Sequence, residues 1–169
     1  MAVGDWWQYQ VAYYQGGTSI DTLVLKAVSV VTIGSSANYT CQLSQNGTVI
    51  DSGHFVQSDS MLSYTGSTRY STFGFFNLRF PFSEGQRWPG IYPGDTITDT
   101  GFVDSFKAMG VIYTPLFTLR RVFNDPHYSM IQDIFLTPKI GLVFQTIDVQ
   151  SDTAPDIWES MQLINYHIQ

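Results

Sequence analysis

The chain has 169 residues, of which 13% are charged and 15% are aromatic. Its net charge is −6, and its few lysines and arginines form no basic stripe, so the sequence excludes a nucleic-acid-binding protein. The hydrophobic content of 44% excludes a disordered chain, and the single cysteine, Cys41, excludes an internal disulfide and a cysteine-rich zinc site. No apolar run reaches the roughly 20 residues of a transmembrane helix, and the length fits one domain over residues 1–169.

Alternating apolar and polar residues predict β-strands along the chain. The first such run covers residues 7–13, and further runs cover 76–82 and 117–123. Alternation places successive side chains on opposite faces of a sheet, so each run predicts a half-buried strand. Between the first two runs, Asn46-Gly47 predicts a tight hairpin, because a type I′ turn needs a positive φ at both central residues.

The closing segment is ambiguous between helix and strand. Pro155 and apolar residues at helical spacing favour a helix over residues 156–164, whereas a shared parity of apolar residues favours a strand over 158–168. We predict the strand. Together with the short turns, the alternating runs predict a single all-β domain, a strongly curved antiparallel sheet of about nine or ten strands that is open-barrel or sandwich-like.

Adjacent aromatic residues occur in three places, at residues 6–7, 13–14 and 75–76. A regular strand turns the two members of each pair to opposite faces, so a sheet with one buried face leaves one member exposed. The pairs therefore predict a second layer or a lined cavity. The tryptophans predicted to lie in the core are Trp7, Trp88 and Trp158. The candidate ligand-binding residues are Trp6, Tyr14, Phe75 and Trp88.

No residue pattern predicts a catalytic site. The histidines at 54, 127 and 167 are isolated, and neither a Gly-x-Ser-x-Gly elbow nor a nucleotide-binding glycine motif occurs. The aspartates form two loose groups, one at residues 95, 99 and 104 and one at 148, 152 and 156. Neither group has the pattern of a calcium loop, and both are predicted to lie in solvated loops. Cys41 is predicted to be a small buried side chain. We therefore predict a protein that is not an enzyme and has no cofactor and no metal site.

One short pattern occurs twice. Residues 4–7 and 85–88 both read Gly-x-x-Trp, and each lies at or just before a predicted strand. Duplication of a half-sheet would produce such an echo, and so would chance, because the pattern is short.

Three motifs span most of the chain. They are Val-Gly-Asp-x-Trp-x-Tyr at residues 3–9, Pro-Phe-x-x-Gly-x-x-Trp at 81–88 and Pro-x-Ile-Gly-Leu-Val at 138–143. In this order they resemble the motifs of a mostly uncharacterised group of exported, often lipid-anchored bacterial β-proteins. The resemblance implies a curved antiparallel sheet related to the open barrel of lipoprotein carriers, and it attaches no catalytic residue to the motifs. The cysteine of a lipid-anchoring signal is missing, as expected for a chain trimmed at its N-terminus.

These observations predict an exported protein, periplasmic or anchored to the outer membrane through a trimmed N-terminus. Its predicted role is the non-enzymatic binding of an apolar small molecule, a lipid or another envelope component. A carbohydrate-binding module that uses exposed aromatics to hold a glycan is the alternative. A glycan-acting hydrolase with an acid pair and a structural assembly subunit are the remaining possibilities. The sequence leaves the oligomeric state open.

Overall fold

A computed structural model describes residues 1–15, 17–66, 76–81, 83–89, 95–103, 105–108, 110–114, 116–138 and 140–169. Within these ranges the chain forms fourteen β-strands. The strands are β1 (Trp6–Tyr14), β2 (Thr18–Ile33), β3 (Ser36–Gln45), β4 (Thr48–Gln57), β5 (Met61–Thr65), β6 (Phe76–Arg79), β7 (Arg87–Pro89), β8 (Asp95–Val103), β9 (Phe106–Ala108), β10 (Val111–Tyr113), β11 (Leu116–Asp125), β12 (Tyr128–Thr137), β13 (Gly141–Ser151) and β14 (Ile157–His167).

Twelve of these strands form one antiparallel sheet in the order β6-β5-β4-β3-β2-β1-β14-β13-β12-β11-β8-β7, and β9 and β10 form a separate hairpin. The prediction of a single all-β, curved antiparallel sheet is confirmed. The predicted strand count was too low. No alternating run predicted β9 or β10, which have only three residues each, too few for an alternating pattern to stand out from the loops.

The connection between the two edge strands requires the sheet to curve. Twelve strands at the usual spacing of about 4.8 Å would make a flat sheet about 53 Å wide. The edge strands β6 and β7 are joined by residues 80–86 alone, and a chain of that length spans at most about 29 Å. A flat sheet is therefore impossible, and the sheet curls until it is nearly closed into a barrel.

The inner, concave face of the sheet carries the core. On β1, Trp7, Tyr9 and Val11 are buried and their neighbours are only partly buried. Trp88 is also buried, as predicted. The prediction for Trp158 was wrong, because its side chain is 41% exposed. On β14 the inward positions are occupied by residues 159, 161 and 163, so Trp158 belongs to the outward set.

Two local predictions are confirmed. Asn46 and Gly47 have φ of 50° and 78° and connect β3 to β4, which is the conformation that a type I′ hairpin requires. The closing segment is the strand β14 and not a helix, and it pairs with β1 on one side and β13 on the other.

Candidate functional site

The antiparallel order gives the sheet two ends. At one end, which we call the mouth end, β1 begins and its neighbours β2 and β14 end; the opposite end is the far end. Of the other strands of the sheet, β3, β5, β11 and β13 also begin at the mouth end, and β4, β6, β8 and β12 end there. Residues from both halves of the sheet surround a cavity of about 510 Å³ at the mouth end. We call this the mouth cavity. Its lining is mainly apolar and includes Trp7, Leu62, Leu78, Phe80, Phe117, Leu136, Ile140 and Ile168.

The first residues of the chain form part of the cavity wall. Asp5 is fully buried, and its carboxylate accepts hydrogen bonds from the backbone N–H groups of Ala2 (2.6 Å) and Gln169 (3.0 Å). Gly4 has a φ of 101°, and a Cβ atom at this position would lie 2.5 Å from the side-chain nitrogen of Gln169. The Gly-Asp pair of the opening motif therefore joins the two chain termini at the rim of the cavity.

Two aromatic side chains connect β1 to the start of β13. The indole N–H of Trp7 donates to the carbonyl oxygen of Ile140 (2.7 Å), and the Tyr9 hydroxyl donates to that of Leu142 (3.2 Å). Gly141, between these two residues, has a φ of 92°. The opening motif at residues 3–9 and the closing motif at 138–143 are thus in direct contact at the mouth end.

The size and chemistry of the mouth cavity suit an apolar ligand. Its volume lies within the roughly 300–1,000 Å³ typical of small-molecule sites, and such sites combine an apolar lining with a few polar groups. Here the polar lining comes from Asp5, the segment Gln57-Ser58-Asp59 and Thr137. An alkyl chain in the cavity would remove apolar surface from water, and a polar head group could reach the exposed Asp59 at the rim.

The structure does not bring the predicted ligand-binding residues together. Trp6 and Tyr14 lie at opposite ends of β1, where Trp6 stacks on the His167 ring at 6.3 Å and the exposed Tyr14 contacts Trp158 at 4.8 Å. Trp88 is buried in the core. Phe75 lies outside the described residues.

The surface aromatics differ from the flat arrangement that a sugar-binding platform uses. The Tyr14 and Trp158 rings are inclined to one another by 52°, and the Phe123 and Tyr128 rings by 36°. The near-parallel rings of Trp6 and His167 stack on each other, at an interplanar angle of 20°. The two inclined pairs do not present coplanar rings, and the stacked pair covers one face of each ring, so these three pairs do not form the flat platform that the carbohydrate-binding alternative needs.

The sequence did not indicate the residues that line the mouth cavity. Leu62, Leu78, Phe117 and Leu136 each occupy an ordinary apolar position of a strand, and only the closing of the sheet places them around one space. The one available signal was the set of motifs, because Trp7 and Ile140 both belong to them and both line the cavity.

The acidic residues behave in two different ways. Asp95 was predicted to lie in a solvated loop and instead is buried on the inner face, where it forms an ion pair with Arg121 at 2.7 Å. The reason is strand parity, since Asp95 begins β8 and points inward. Asp152 and Asp156 are exposed at the far end, as predicted, whereas Asp148 of the same group is half-buried within β13 rather than in a loop. Among the described residues, no group of three or more His, Cys, Asp or Glu side chains could hold a metal ion.

The ion pair belongs to a row of buried polar side chains on five adjacent strands. Arg121 also donates to Gln132 (3.4 Å), and Gln132 donates to Gln145 (3.1 Å). Glu159 on β14 is fully buried on the same face. We call the set Asp95, Arg121, Gln132, Gln145 and Glu159 the polar row. It places a line of buried polar side chains within the otherwise apolar core on this half of the sheet, whereas the buried cysteine Cys41, whose pKa burial raises to about 12, lies on the other half.

The chain is similar to solved structures. No protein-family model matches it, and no curated protein does. A candidate exported protein with YmcC-like fold from Bacteroides fragilis NCTC 9343 has a TM-score of 0.59 and 12% identity, and the match covers 99% of this chain and 97% of that one. A DUF1329 family protein from Desulfovibrio piger ATCC 29098 covers 100% of this chain and 87% of its own at 6% identity, but its TM-score of 0.34 is too low to support a conclusion. The first likeness establishes a YmcC-like fold. In the part of the chain that the structure describes, no helix is long and apolar enough to cross a membrane.

Proposed function

We propose that this protein is an exported envelope protein that binds an apolar ligand, such as an acyl chain, in the mouth cavity and acts by binding rather than by catalysis. The observation that carries the proposal is the cavity itself, which has about 510 Å³ of space and a mainly apolar lining. Export is supported by the description of the Bacteroides fragilis protein of the same fold.

The arrangement of the lining favours a ligand that enters tail first. Leu62, Leu78 and Phe117 come from three different strands, and they face the same space. The Gln57-Ser58-Asp59 turn adds polar groups beside them. A ligand with an alkyl tail and a small polar head would match this arrangement of apolar lining and polar rim. Its tail would leave water, and its head group would keep its hydrogen bonds.

A fluorescent apolar probe that brightens in a dry site tests the proposal. The protein should bind the probe saturably, and a long-chain acyl compound should displace it. Leu62→Trp adds volume inside the cavity and should weaken probe binding at least tenfold. Ile20→Trp is the control, because Ile20 is exposed at the far end of β2 and lies outside the cavity lining.

Melting temperatures of both variants separate a blocked cavity from a damaged fold. If folded wild-type protein shows no saturable probe binding, or if Leu62→Trp and wild type bind equally well, the mouth cavity is not the binding site. If binding is lost only together with the melting transition, Leu62→Phe replaces Leu62→Trp as a milder enlargement of the same side chain, and an affinity equal to that of the wild type then also contradicts the proposal.

A further inference from the structure

The β2–β3 hairpin extends past β1 at the mouth end, while on its other side β4 runs beside β3 as far as Ala37. The first residue of β1, Trp6, pairs with Lys26, whereas β2 continues to Ile33 and stays paired with β3 as far as Ser36. The segment beyond Lys26 thus includes seven further residues of β2, a length of roughly 23 Å. We call residues 28–35 the hairpin tip.

The hairpin tip is apolar and exposed. Val30, Val31 and Ile33 are 41%, 60% and 68% exposed. Strand alternation puts Val30 on one side of the hairpin and the other two residues on the opposite side, so apolar side chains are exposed on both sides. No charged residue and no histidine occurs between Lys26 and Asp51. Val111 and Ile112, in the β9–β10 hairpin between the mouth ends of β8 and β11, are 49% and 63% exposed.

The charges on the surface differ between the two ends. The exposed side chains of Lys26, Arg79 and Lys107 lie near the mouth end, together with the exposed acids Asp59 and Glu84. At the far end, Asp125, Asp152 and Asp156 surround a polar cleft in the β11–β12 and β13–β14 connections. An anionic surface would repel the acidic far end, and the protein would therefore turn its mouth end towards that surface.

We propose that the mouth end docks on a lipid bilayer, with the hairpin tip inserted among the lipid head groups and the mouth cavity facing the membrane. An apolar tip with no charge avoids the cost of burying an ion in the interface, and the neighbouring lysines add attraction to anionic lipids. Docking at this end brings the opening of the cavity next to the place where an apolar ligand would enter or leave. The docking itself does not require an occupied cavity.

Flotation with phospholipid vesicles tests the proposal. Wild-type protein should float with vesicles that contain phosphatidylglycerol, and more weakly with pure phosphatidylcholine. The double variant V31S/I33S should lose at least about tenfold in vesicle affinity, because it removes two apolar side chains from the inserted tip. K26Q/K107Q should lose the preference for anionic vesicles but keep the weaker binding to phosphatidylcholine.

The matched control is I20S/V49S, which changes two apolar side chains of similar exposure, 62% and 52%, at the far end. Equal losses in the control and the tip variant would overturn the proposal, and so would undiminished flotation of V31S/I33S or no flotation of the wild type. A wild type that dimerises and does not bind vesicles, beside a monomeric V31S/I33S, would show that the tip instead pairs with a second copy. Leu62→Trp should float like the wild type, so a failed cavity and a failed docking surface give different results.

Discussion

Arg120 and Arg121 are adjacent on β11 and pair with different aspartates on opposite faces of the sheet. Arg121 donates from Nε to both carboxylate oxygens of Asp95, at 2.8 and 2.9 Å, with side-chain exposures of 6% and 0% for the two partners. Arg120 donates to Asp133 at 2.7 and 3.0 Å, but the side-chain exposures are 52% and 32%. The two pairs have similar geometry and differ mainly in burial, which makes them a natural comparison.

Arg121→Met should destabilise the protein far more than Arg120→Met. Removing Arg121 leaves the Asp95 carboxylate buried without its cation, and breaking a buried pair in this way costs about 3–5 kcal/mol. Removing Arg120 leaves Asp133 partly in water, and an exposed pair contributes about 0–1 kcal/mol. The expected difference between two neighbouring substitutions of the same chemistry is therefore about 2–5 kcal/mol.

Urea unfolding monitored by tryptophan fluorescence measures both variants, and unchanged slopes would show that the unfolding transition is comparable. The double variant D95L/R121M should recover most of the loss, because it removes the buried charge together with its partner. Equal effects of Arg120→Met and Arg121→Met would refute the reasoning. A double variant D95L/R121M that is less stable than Arg121→Met alone would also refute the predicted role of the buried charge.

Three further predictions concern the core. Gly53→Ala should lower the free energy of unfolding by about 1–3 kcal/mol, because the added Cβ would lie 2.5 Å from the Tyr64 hydroxyl oxygen. In the control Gly17→Ala the added Cβ meets nothing within 4 Å, so this variant should not be destabilised. Equal chemical-denaturation midpoints for the two variants would contradict this. The Cys41 thiol should resist a thiol-specific reagent at pH 8 until the protein unfolds, because burial raises its pKa to about 12; a rate equal to that in urea would contradict this. Burial also raises the pKa of Tyr9 above its ordinary value of 10.0. Stability should therefore be unaffected by Tyr9 below pH 10.0 and should fall as the pH rises above it, because ionising the ring then favours the unfolded chain. Tyrosinate absorbance that appears before unfolding and is absent in Tyr9→Phe would contradict this.

The fold was more predictable than the site because local patterns encode strands and turns. The Asn46-Gly47 turn and the alternation of Trp7, Tyr9 and Val11 are decided within a few residues, and both are found in the structure. The inner position of Arg121 could not be read in this way. A polar residue in an alternating strand normally faces water, and only the partners on neighbouring strands make its burial tolerable.

The mouth cavity depends on contacts between residues that are far apart in sequence. Leu78 and Phe117 reach the same space only because the sheet curls and brings β6 near β11. Their sequence positions indicate apolar strand residues and nothing more. The exposure of Trp158 has the same origin, since its parity relative to the core is decided by the pairing of β14 with β1.

The two Gly-x-x-Trp segments occupy equivalent places in the fold. Gly4 and Gly85 have φ of 101° and 78°, and Trp7 and Trp88, three residues later, are both buried on the inner face. One segment opens β1 and the other opens β7, and each is followed by a six-stranded run of the main sheet, β1 to β6 and β7 to β14 without the inserted β9–β10 hairpin. The shared positive φ of the glycines and the shared burial of the tryptophans are features that duplication of a half-sheet would produce.

The two junctions between these halves are not equivalent, and the difference bears on how firmly each side of the cavity is held. One junction pairs β1 with β14 over the whole of β1 and is further joined by the bond from Gln169 to Asp5. At the other junction, β6 and β7 are the edges of the sheet as described, with four and three residues. Among the described residues no ladder joins these two edges, whereas opening the first junction would break a nine-residue ladder. Because β5 and β6 supply Leu62 and Leu78 to the cavity wall, the described ladders constrain this side of the cavity less than the side formed by β1 and β14.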